Sequence, residues 1–188
     1  MQAMTKPFRP TKEQLAAAVH LTVPDLLAPN LKVLFVGINP GLYSAATNRH
    51  FARPGNRFWP ALRDGGFTEG LMSPFDSHLI LKHGYGITNI CARATNAADE
   101  LKKDELLCGA KSLLRKVKRY KPKIVAILGV GSYRTAFNKP HAKVGRQEEK
   151  IGDSILWVLP NPSGLNAHFI PSKLSKIFRE LKLEADRV

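Results

Sequence analysis

Two short loops, far apart in the chain, each follow a run of apolar residues with β-strand character. Residues 37–44 (GINPGLYS) follow VLFV at 33–36, and residues 159–166 (LPNPSGLN) follow ILWV at 155–158. Asn, Pro, Gly and Ser form rigid turns and expose amide groups. In an α/β fold, loops that leave the carboxyl ends of parallel strands meet at one edge of the sheet, where ligands bind. We therefore expect these loops to form the two sides of one active site.

The rest of the pattern predicts the fold around those loops. Residues 103–120 carry apolar side chains at helical spacing, and residues 124–128 form a continuous apolar run typical of a buried parallel strand. This alternation predicts an α/β protein, a three-layer α/β/α sandwich with a short, mostly parallel central sheet. The length suits a single domain over residues 1–188, with residues 1–10 as a loose tail.

Three shorter segments give local predictions. Thr11 and Gln14 have the spacing of a capping box, which predicts a helix that begins directly after Thr11. Residues 41–55 are too polar and irregular for a helix or a strand, and we expect a loop there. Residues 141–149 are predicted to be a polar excursion.

The charge of the chain favours a polyanionic partner. It has 29 Lys and Arg residues against 15 Asp and Glu, a net charge of +14. Such a surface gains affinity for nucleic acids by neutralising phosphates and releasing counterions, whereas solubility alone is the alternative interpretation. No basic amphipathic helix with bulky apolar anchors, spanning run or signal peptide stands out, so we expect an intracellular protein that does not bind membranes.

Motifs for metals and cofactors are incomplete. Residues 129–131 (GVG) follow a predicted strand, but Arg134 occupies the third glycine position of a dinucleotide-binding motif. The histidines lack metal-ligand spacing, and Cys91 and Cys108 are too few for an iron–sulfur or four-cysteine zinc site. We therefore expect no metal and no cofactor, and chemistry carried by amides, backbone groups and shape.

Asn39, in the first loop, suggests one reaction. An asparagine is no base at neutral pH, but its carbonyl oxygen can orient a water molecule. That suits hydrolysis of an N-glycosidic bond, in which the base departs early as an anion that backbone N–H groups can stabilise. The alternative is that Asn39 only caps a turn.

Several collinear motifs resemble those of the mismatch-specific uracil DNA glycosylases and thymine DNA glycosylases, members of the uracil-DNA glycosylase superfamily. They are GINPG at 37–41, FARPGNRFW at 51–59, AILG at 126–129 and WVLPNPSGL at 157–165. The resemblance spans about residues 32–182. The main uracil-DNA glycosylase family differs, because it has an Asp and a His where this chain has Asn39 and Asn161.

The resemblance implies a uracil-DNA glycosylase-like fold and a monofunctional enzyme of base-excision repair. Such an enzyme hydrolyses the N-glycosidic bond of uracil mispaired with guanine in double-stranded DNA, by base flipping and attack of water. Thymine and other damaged pyrimidines are further candidate substrates. We expect a cytoplasmic monomer that acts on DNA without a cofactor.

The resemblance also assigns roles around the flipped base. Asn39 positions the attacking water. The base stacks on Phe51, and its edge meets backbone amides near Ile38, with Asn161 as a further base-binding residue. Ser44 lies where the family sets the tolerance of the thymine 5-methyl group.

The resemblance implies that the second loop, residues 159–166, opens the DNA duplex. Leu165 is the wedge that enters the vacated stack, and Gly164 and Asn166 contact the orphaned guanine. Flipping costs a few kcal/mol and less at a mismatch, and an apolar wedge offsets part of that cost by filling the gap.

Two positions depart from the family pattern. Ala167 replaces an arginine that usually follows the wedge, so DNA anchoring passes to residues such as His168 or Lys173. Ala92 stands where the family usually has Asp or Glu, and we expect this position to affect catalysis, because a carboxylate there could stabilise the sugar cation or hold the water.

Two other functions remain open at this point. A non-catalytic module that recognises mismatches through the same wedge would keep the DNA-binding features, and the loss of a carboxylate at Ala92 makes it less remote. A nucleotide-binding α/β enzyme is disfavoured by the incomplete glycine motifs. An assay with a G:U duplex separates the three. Strand scission after alkaline treatment indicates the glycosylase, binding without scission the module, and neither of these the nucleotide-binding enzyme.

Overall fold

The central sheet has four parallel strands and one antiparallel edge strand. The computed structural model describes residues 8–164, 166 and 168–188. The strands are β1 (Val33–Gly37), β2 (Tyr85–Asn89), β3 (Ile124–Leu128), β4 (Gly145–Ile151) and β5 (Ser154–Leu159), and their order across the sheet is β2-β1-β3-β5-β4. All neighbours pair in parallel except β4, which runs antiparallel to β5. The predicted short, mostly parallel sheet is confirmed.

Helices cover both faces of this sheet. They are α1 (Lys12–Ala17), α2 (Leu42–Thr47), α3 (Phe58–Asp64), α4 (Lys103–Tyr120), α5 (Val130–Ala136) and α6 (Pro171–Ala185), with 3₁₀ helices at Pro74–His83 and Ala98–Glu100. Helices α3 and α6 pack in one apolar cluster and α4 and α5 in another, on the opposite face. The three-layer α/β/α sandwich is therefore confirmed. None of the helices in the described part of the chain is long and apolar enough to cross a membrane.

Strand β1 shows how the sequence fills both layers. Side chains of a strand alternate between the two faces of a sheet. Val33 and Phe35 accordingly enter the cluster with α3 and α6, whereas Leu34 and Val36 enter the cluster with α4 and α5. Because both faces are buried, an unbroken apolar run is the pattern that this strand requires.

The structure confirms one local prediction and contradicts another, and tertiary packing explains the difference. The capping box at Thr11 is confirmed, since Gln14 N donates to Thr11 Oγ1 at 3.2 Å and Thr11 N donates to Gln14 Oε1 at 2.9 Å. The predicted loop at 41–55 is wrong in its first half, where α2 forms without a side-chain cap. Ala45 of α2 packs against Ala18 in a small apolar cluster, a tertiary contact that the local sequence does not reveal.

The polar segment after α5 is also more regular than expected. Residues 145–151 form the edge strand β4, so the predicted excursion over 141–149 is wrong for its second half. Most of its side chains are exposed, and it carries Arg146, Glu148, Glu149 and Lys150. Charged side chains are a common protection of an edge strand against pairing with another chain, and they hide the strand from a hydrophobicity pattern.

Two helical glycines provide a matched test of this packing. A Cβ atom on Gly109 of α4 would lie 2.4 Å from the carbonyl oxygen of Ile90, whereas one on Gly131 of α5 would meet nothing within 4 Å. We expect Gly109→Ala to lower the free energy of unfolding by about 1–3 kcal/mol through overpacking. Gly131→Ala should raise it by about 0.4–1 kcal/mol, because alanine has less freedom to lose on folding. Denaturant unfolding of both variants measures this. A loss at Gly131, or none at Gly109, would contradict the packing described.

Candidate active site

A cavity opens where the carboxyl ends of the parallel strands meet. Gly37 ends β1, Asn89 ends β2 and Leu128 ends β3, and all three line it. Its volume is about 210 Å³, below the range of pockets for drug-sized ligands and suited to a single small ring. The lining includes five of the predicted site residues, which are Ile38, Asn39, Ser44, Phe51 and Asn161. The predicted convergence of the two loops on one edge of the sheet is confirmed.

The amide of Asn39 has a fixed orientation. Asn39 Nδ2 donates to Thr95 Oγ1 at 2.7 Å and to the carbonyl oxygen of Arg93 at 3.1 Å. The Thr95 hydroxyl donates its own hydrogen to the carbonyl oxygen of Ala97 at 2.7 Å, so it can only accept from Asn39. Both N–H groups of the amide are therefore used, and Asn39 Oδ1 keeps its acceptor capacity, since no described residue donates to it. Thr95, which is only 2 % exposed, is a site residue that sequence reasoning missed.

Phe51 forms an aromatic wall of the cavity in an unusual backbone conformation. Its φ is +52°, in the left-handed region that a bulky residue rarely adopts. Its ring stacks on Phe58, with centroids 4.1 Å apart and planes at 27°. Phe58 is fully buried in the core, so the wall has a rigid support. Backbone strain that is held by the surrounding structure is common at functional sites.

The neighbours of Phe51 hold that conformation through hydrogen bonds. Trp59 Nε1 donates to the carbonyl oxygen of His50 at 3.2 Å, and Ala52 N donates to Ser44 Oγ at 3.2 Å. His50 Nε2 lies 2.9 Å from the carbonyl oxygen of Pro24. Ser44 therefore lines the cavity and also fastens the segment that carries Phe51.

Asn89 is a second buried amide in the cavity, and the sequence analysis did not identify it. It is 8 % exposed, and its side chain makes no hydrogen bond to any described residue. A Cβ atom on Gly37 would lie 2.4 Å from Asn89 Oδ1 and 3.3 Å from the tip of the Phe51 ring. The absence of a side chain at Gly37 thus lets the Asn89 amide reach the edge of the aromatic wall. A polar residue at the end of an apolar strand is the signal that could have found it.

The opposite side of the cavity is the β5–α6 loop, residues 160–170. Asn161 Oδ1 accepts from Ser163 N at 3.0 Å, and Asn166 Nδ2 donates to the carbonyl oxygen of Asn161 at 3.0 Å. Asn166 Oδ1 accepts from His168 N at 3.2 Å. Both asparagine side chains therefore stabilise the loop itself. Gly164 is exposed at its tip, whereas Leu165 and Ala167 lie outside the described residues.

Ala92 is not brought into the cavity. It is exposed and absent from the lining, although Asn89 and Thr95 of the same segment reach it. Cys91 N donates to the carbonyl oxygen of Ile38 at 2.9 Å, and the carbonyl of Arg93 faces Asn39. The chain on either side of Ala92 is thus tied to the first loop, while its methyl group points to the surface. This placement gives no support to the expected catalytic contribution of that position.

The cavity is polar but carries little formal charge. No Asp or Glu lines it among the described residues, and Arg53 is the cationic residue at its rim. Burial lowers the pKa of the His50 imidazole below its ordinary value, although the hydrogen bond to Pro24 and the nearby Asp25 oppose this shift. His50 is therefore neutral at neutral pH. No group of three His, Cys, Asp or Glu residues in the described ranges could hold a metal ion.

The burial of His50 predicts a pH dependence of stability. Since its folded pKa is lowered, its contribution is fully present above the ordinary histidine pKa of about 6.5. It is lost as the pH falls through the folded pKa, because the unfolded chain takes up the proton first. We expect the free energy of unfolding to fall between about pH 7.5 and about pH 5.5, and to fall less in His50→Gln. Urea unfolding at the two pH values measures this.

A matched control uses a histidine without such an environment. His78 is exposed, so His78→Gln should keep the pH dependence of the unsubstituted protein. If His50→Gln and His78→Gln change it equally, the buried imidazole is not its source.

Comparisons with known proteins agree with this architecture. The solution NMR structure of a putative uracil DNA glycosylase from Methanosarcina acetivorans superposes with a TM-score of 0.57 at 21% sequence identity, covering 87% of this chain and 99% of that chain. At that identity the likeness concerns the fold. A family model, described as the uracil DNA glycosylase superfamily, matches residues 24–182. That match includes every strand of the sheet and both sides of the cavity, and the chain belongs to the uracil DNA glycosylase superfamily.

Proposed function

We propose that the protein is a monofunctional DNA glycosylase that hydrolyses the N-glycosidic bond of uracil mispaired with guanine in double-stranded DNA. The observation that carries this proposal is the fixed amide of Asn39, which keeps an Oδ1 acceptor and lines a small cavity together with the aromatic wall Phe51. Membership of the superfamily supports the glycosylase activity. The preference for mismatches is the finer part of the proposal and stems from the motif resemblance.

Uracil bound in this cavity stacks on Phe51. Its N3–H and O4 form one donor and one acceptor on the same edge, and a carboxamide complements both at once. Asn89, buried beside the tip of the Phe51 ring without a hydrogen-bond partner in the described chain, is placed to make that pair. A ligand that pairs with this amide gains both hydrogen bonds at once. We assign Asn89 to base recognition, together with Asn161 and the backbone near Ile38.

The reaction itself needs only weak activation of the water. As the N-glycosidic bond lengthens, negative charge moves onto the uracil ring and the sugar becomes cation-like. Hydrogen bonds to the uracil oxygens strengthen as that charge develops, which is the usual basis of electrostatic catalysis. Asn39 Oδ1 accepts a hydrogen bond from the water and aims its oxygen at the anomeric carbon. After attack the oxygen gives up a proton to solvent water and the departed uracil anion takes one up from solvent, so Asn39 never has to act as a base.

The base must flip out of the duplex to reach the cavity. We propose that the β5–α6 loop opens the duplex for this step. Leu165 is the apolar wedge in this proposal, and Gly164 and Asn166 flank it at the orphaned guanine. A mispair costs less to open than a matched pair, which supports selectivity for G:U. Ser44, on the cavity wall, is proposed to disfavour the 5-methyl group of thymine.

DNA as the partner fits the charge of +14, since neutralised phosphates supply most of the sequence-independent affinity. We propose that the protein acts on DNA as a monomer. The exposed position of Ala92 weakens the alternative of a non-catalytic binding module, because the lack of a carboxylate outside the cavity is no sign of lost activity.

The proposal is tested by single-turnover excision on a labelled G:U duplex, with alkaline cleavage of the abasic product. We expect strand scission by the unsubstituted protein and a loss of about 10²-fold or more in Asn39→Ala, because misplacing one reacting group can cost that much. DNA binding should change little, since phosphate contacts carry it. Binding without scission by the unsubstituted protein would favour the non-catalytic module. Equal losses of binding and excision in Asn39→Ala would show that Asn39 only shapes its turn.

A second prediction concerns the residue that orients Asn39. Thr95→Val keeps the shape of the side chain but removes the hydroxyl that accepts from Asn39 Nδ2. Loss of one such hydrogen bond corresponds to roughly a two- to tenfold slower excision. Thr95→Ser retains the hydroxyl and should stay close to the unsubstituted rate. If both variants are slowed alike, the methyl packing of Thr95 matters and its hydroxyl does not.

A further inference from the structure

One arginine outside the catalytic chemistry binds the backbone of the β5–α6 loop at several points. Arg57 Nη1 donates to the carbonyl oxygens of Asn166 at 2.9 Å and Phe169 at 2.7 Å. Arg57 Nη2 donates to the carbonyl oxygen of Gly164 at 3.1 Å, and Arg57 N donates to that of Pro162 at 2.9 Å. A single residue thus holds four carbonyl groups of this loop.

The guanidinium is well suited to bind several carbonyl groups at once. It presents five N–H donors in a rigid planar fork and loses little freedom for each bond that it makes. The described residues of the loop, 160–164, 166 and 168–170, form no helix or strand, so their carbonyl groups bond to side chains, to other loop atoms or to water. Among the ion pairs formed by the described residues, none involves Arg57. Its donors serve loop carbonyls rather than a carboxylate.

The neighbours of Arg57 belong to the base cavity. Asn56 lines the cavity, and Phe58 supports the ring of Phe51 from behind. The loop also packs tightly against this segment, since a Cβ atom on Gly164 would lie 2.5 Å from the carbonyl oxygen of Gly55. The stretch 55–58 therefore connects the wall on which a base would stack with the loop that would open the duplex.

We propose that Arg57 is a positioning residue that holds the β5–α6 loop in the shape required to enter the duplex, and so couples base flipping to base binding. The proposal rests on the proposed function. Arg57 touches no reacting atom and acts through the loop. Without the guanidinium, the cavity lining stays in place but the loop loses the hydrogen bonds that hold it. The rate of excision therefore falls on duplexes in which a base pair has to be opened.

The test compares two duplexes that differ only opposite the uracil. One places guanine there, and the other places an abasic-site analogue, which leaves no partner base to separate or hold. Arg57→Lys keeps the positive charge but loses the planar fork, whereas Arg57→Met also removes the charge. The matched control is Arg63→Lys in α3, the helix that Arg57 precedes, because Arg63 is exposed and binds Asp64 rather than the loop.

In single-turnover assays we expect both Arg57 variants to lose about tenfold or more in excision from the G:U duplex, as for lost hydrogen bonds to a charged group. Excision of the unpaired uracil should change less than about threefold, and Arg63→Lys should match the unsubstituted protein on both duplexes. A fluorescent 2-aminopurine beside the uracil should brighten less in the Arg57 variants, since fewer bases are unstacked. Equal losses on both duplexes, or no loss on either, would overturn the proposal.

A readout without catalysis separates this proposal from the proposed function. Hydrogen exchange should be faster over residues 160–170 in Arg57→Lys than in the unsubstituted protein or Arg63→Lys, because the amides of Ser163, Asn166 and His168 depend on the loop conformation. If the unsubstituted protein excises uracil from neither duplex, the proposed function fails. If exchange in this loop is unchanged in Arg57→Lys, the positioning role of Arg57 fails.

Discussion

Burial of β1 on both faces is the constraint from which the position of the cavity follows. Each residue of this strand is buried, with alternate side chains in the two apolar layers, so the chain cannot turn until Gly37 passes the edge of the sheet. The parallel neighbours β2 and β3 end at the same level. Polar residues at the ends of β1, β2 and β5, which are Asn39, Asn89 and Asn161, are therefore brought together without any need for attraction between them. Polar side chains collect at this edge because both faces of the sheet are covered by apolar layers.

The amides in the cavity divide into two kinds according to how their hydrogen bonds are used. Asn166 uses both its Nδ2 and its Oδ1 to stabilise its own loop, and Asn161 uses its Oδ1 in the same way. Asn39 uses both donors on the neighbouring segment and keeps its acceptor, and Asn89 keeps its whole amide. A bound base can pair with the groups that make no hydrogen bond within the protein. The incompletely bonded amides therefore mark where selectivity for a base can arise.

The local sequence was sufficient to predict helices and strands that have a clear apolar pattern. The helix α4 and strand β3 have the predicted bounds, and the Asn39 loop lies at the predicted sheet edge. The features that the sequence did not predict depend on contacts between distant residues, such as the hydrogen bond from Arg57 to Asn166, which are 109 positions apart. Asn89 was missed because a single polar residue after a short strand carries no motif of its own. Ala92 was expected to affect catalysis because the family usually has a carboxylate at this position, and the structure leaves it exposed outside the cavity.

The strained backbone of Phe51 explains why the cavity needs so much support. A left-handed conformation at a bulky residue costs of order 1–3 kcal/mol and persists only where surrounding contacts hold it. Here the stack on Phe58, the Trp59 bond to the His50 carbonyl and the Ser44 bond to Ala52 N provide that hold. Ser44 thus stabilises the wall as well as facing the cavity. A substitution at Ser44 would therefore change the fit of a base and the position of the ring together, and the two effects separate only if stability is measured beside selectivity.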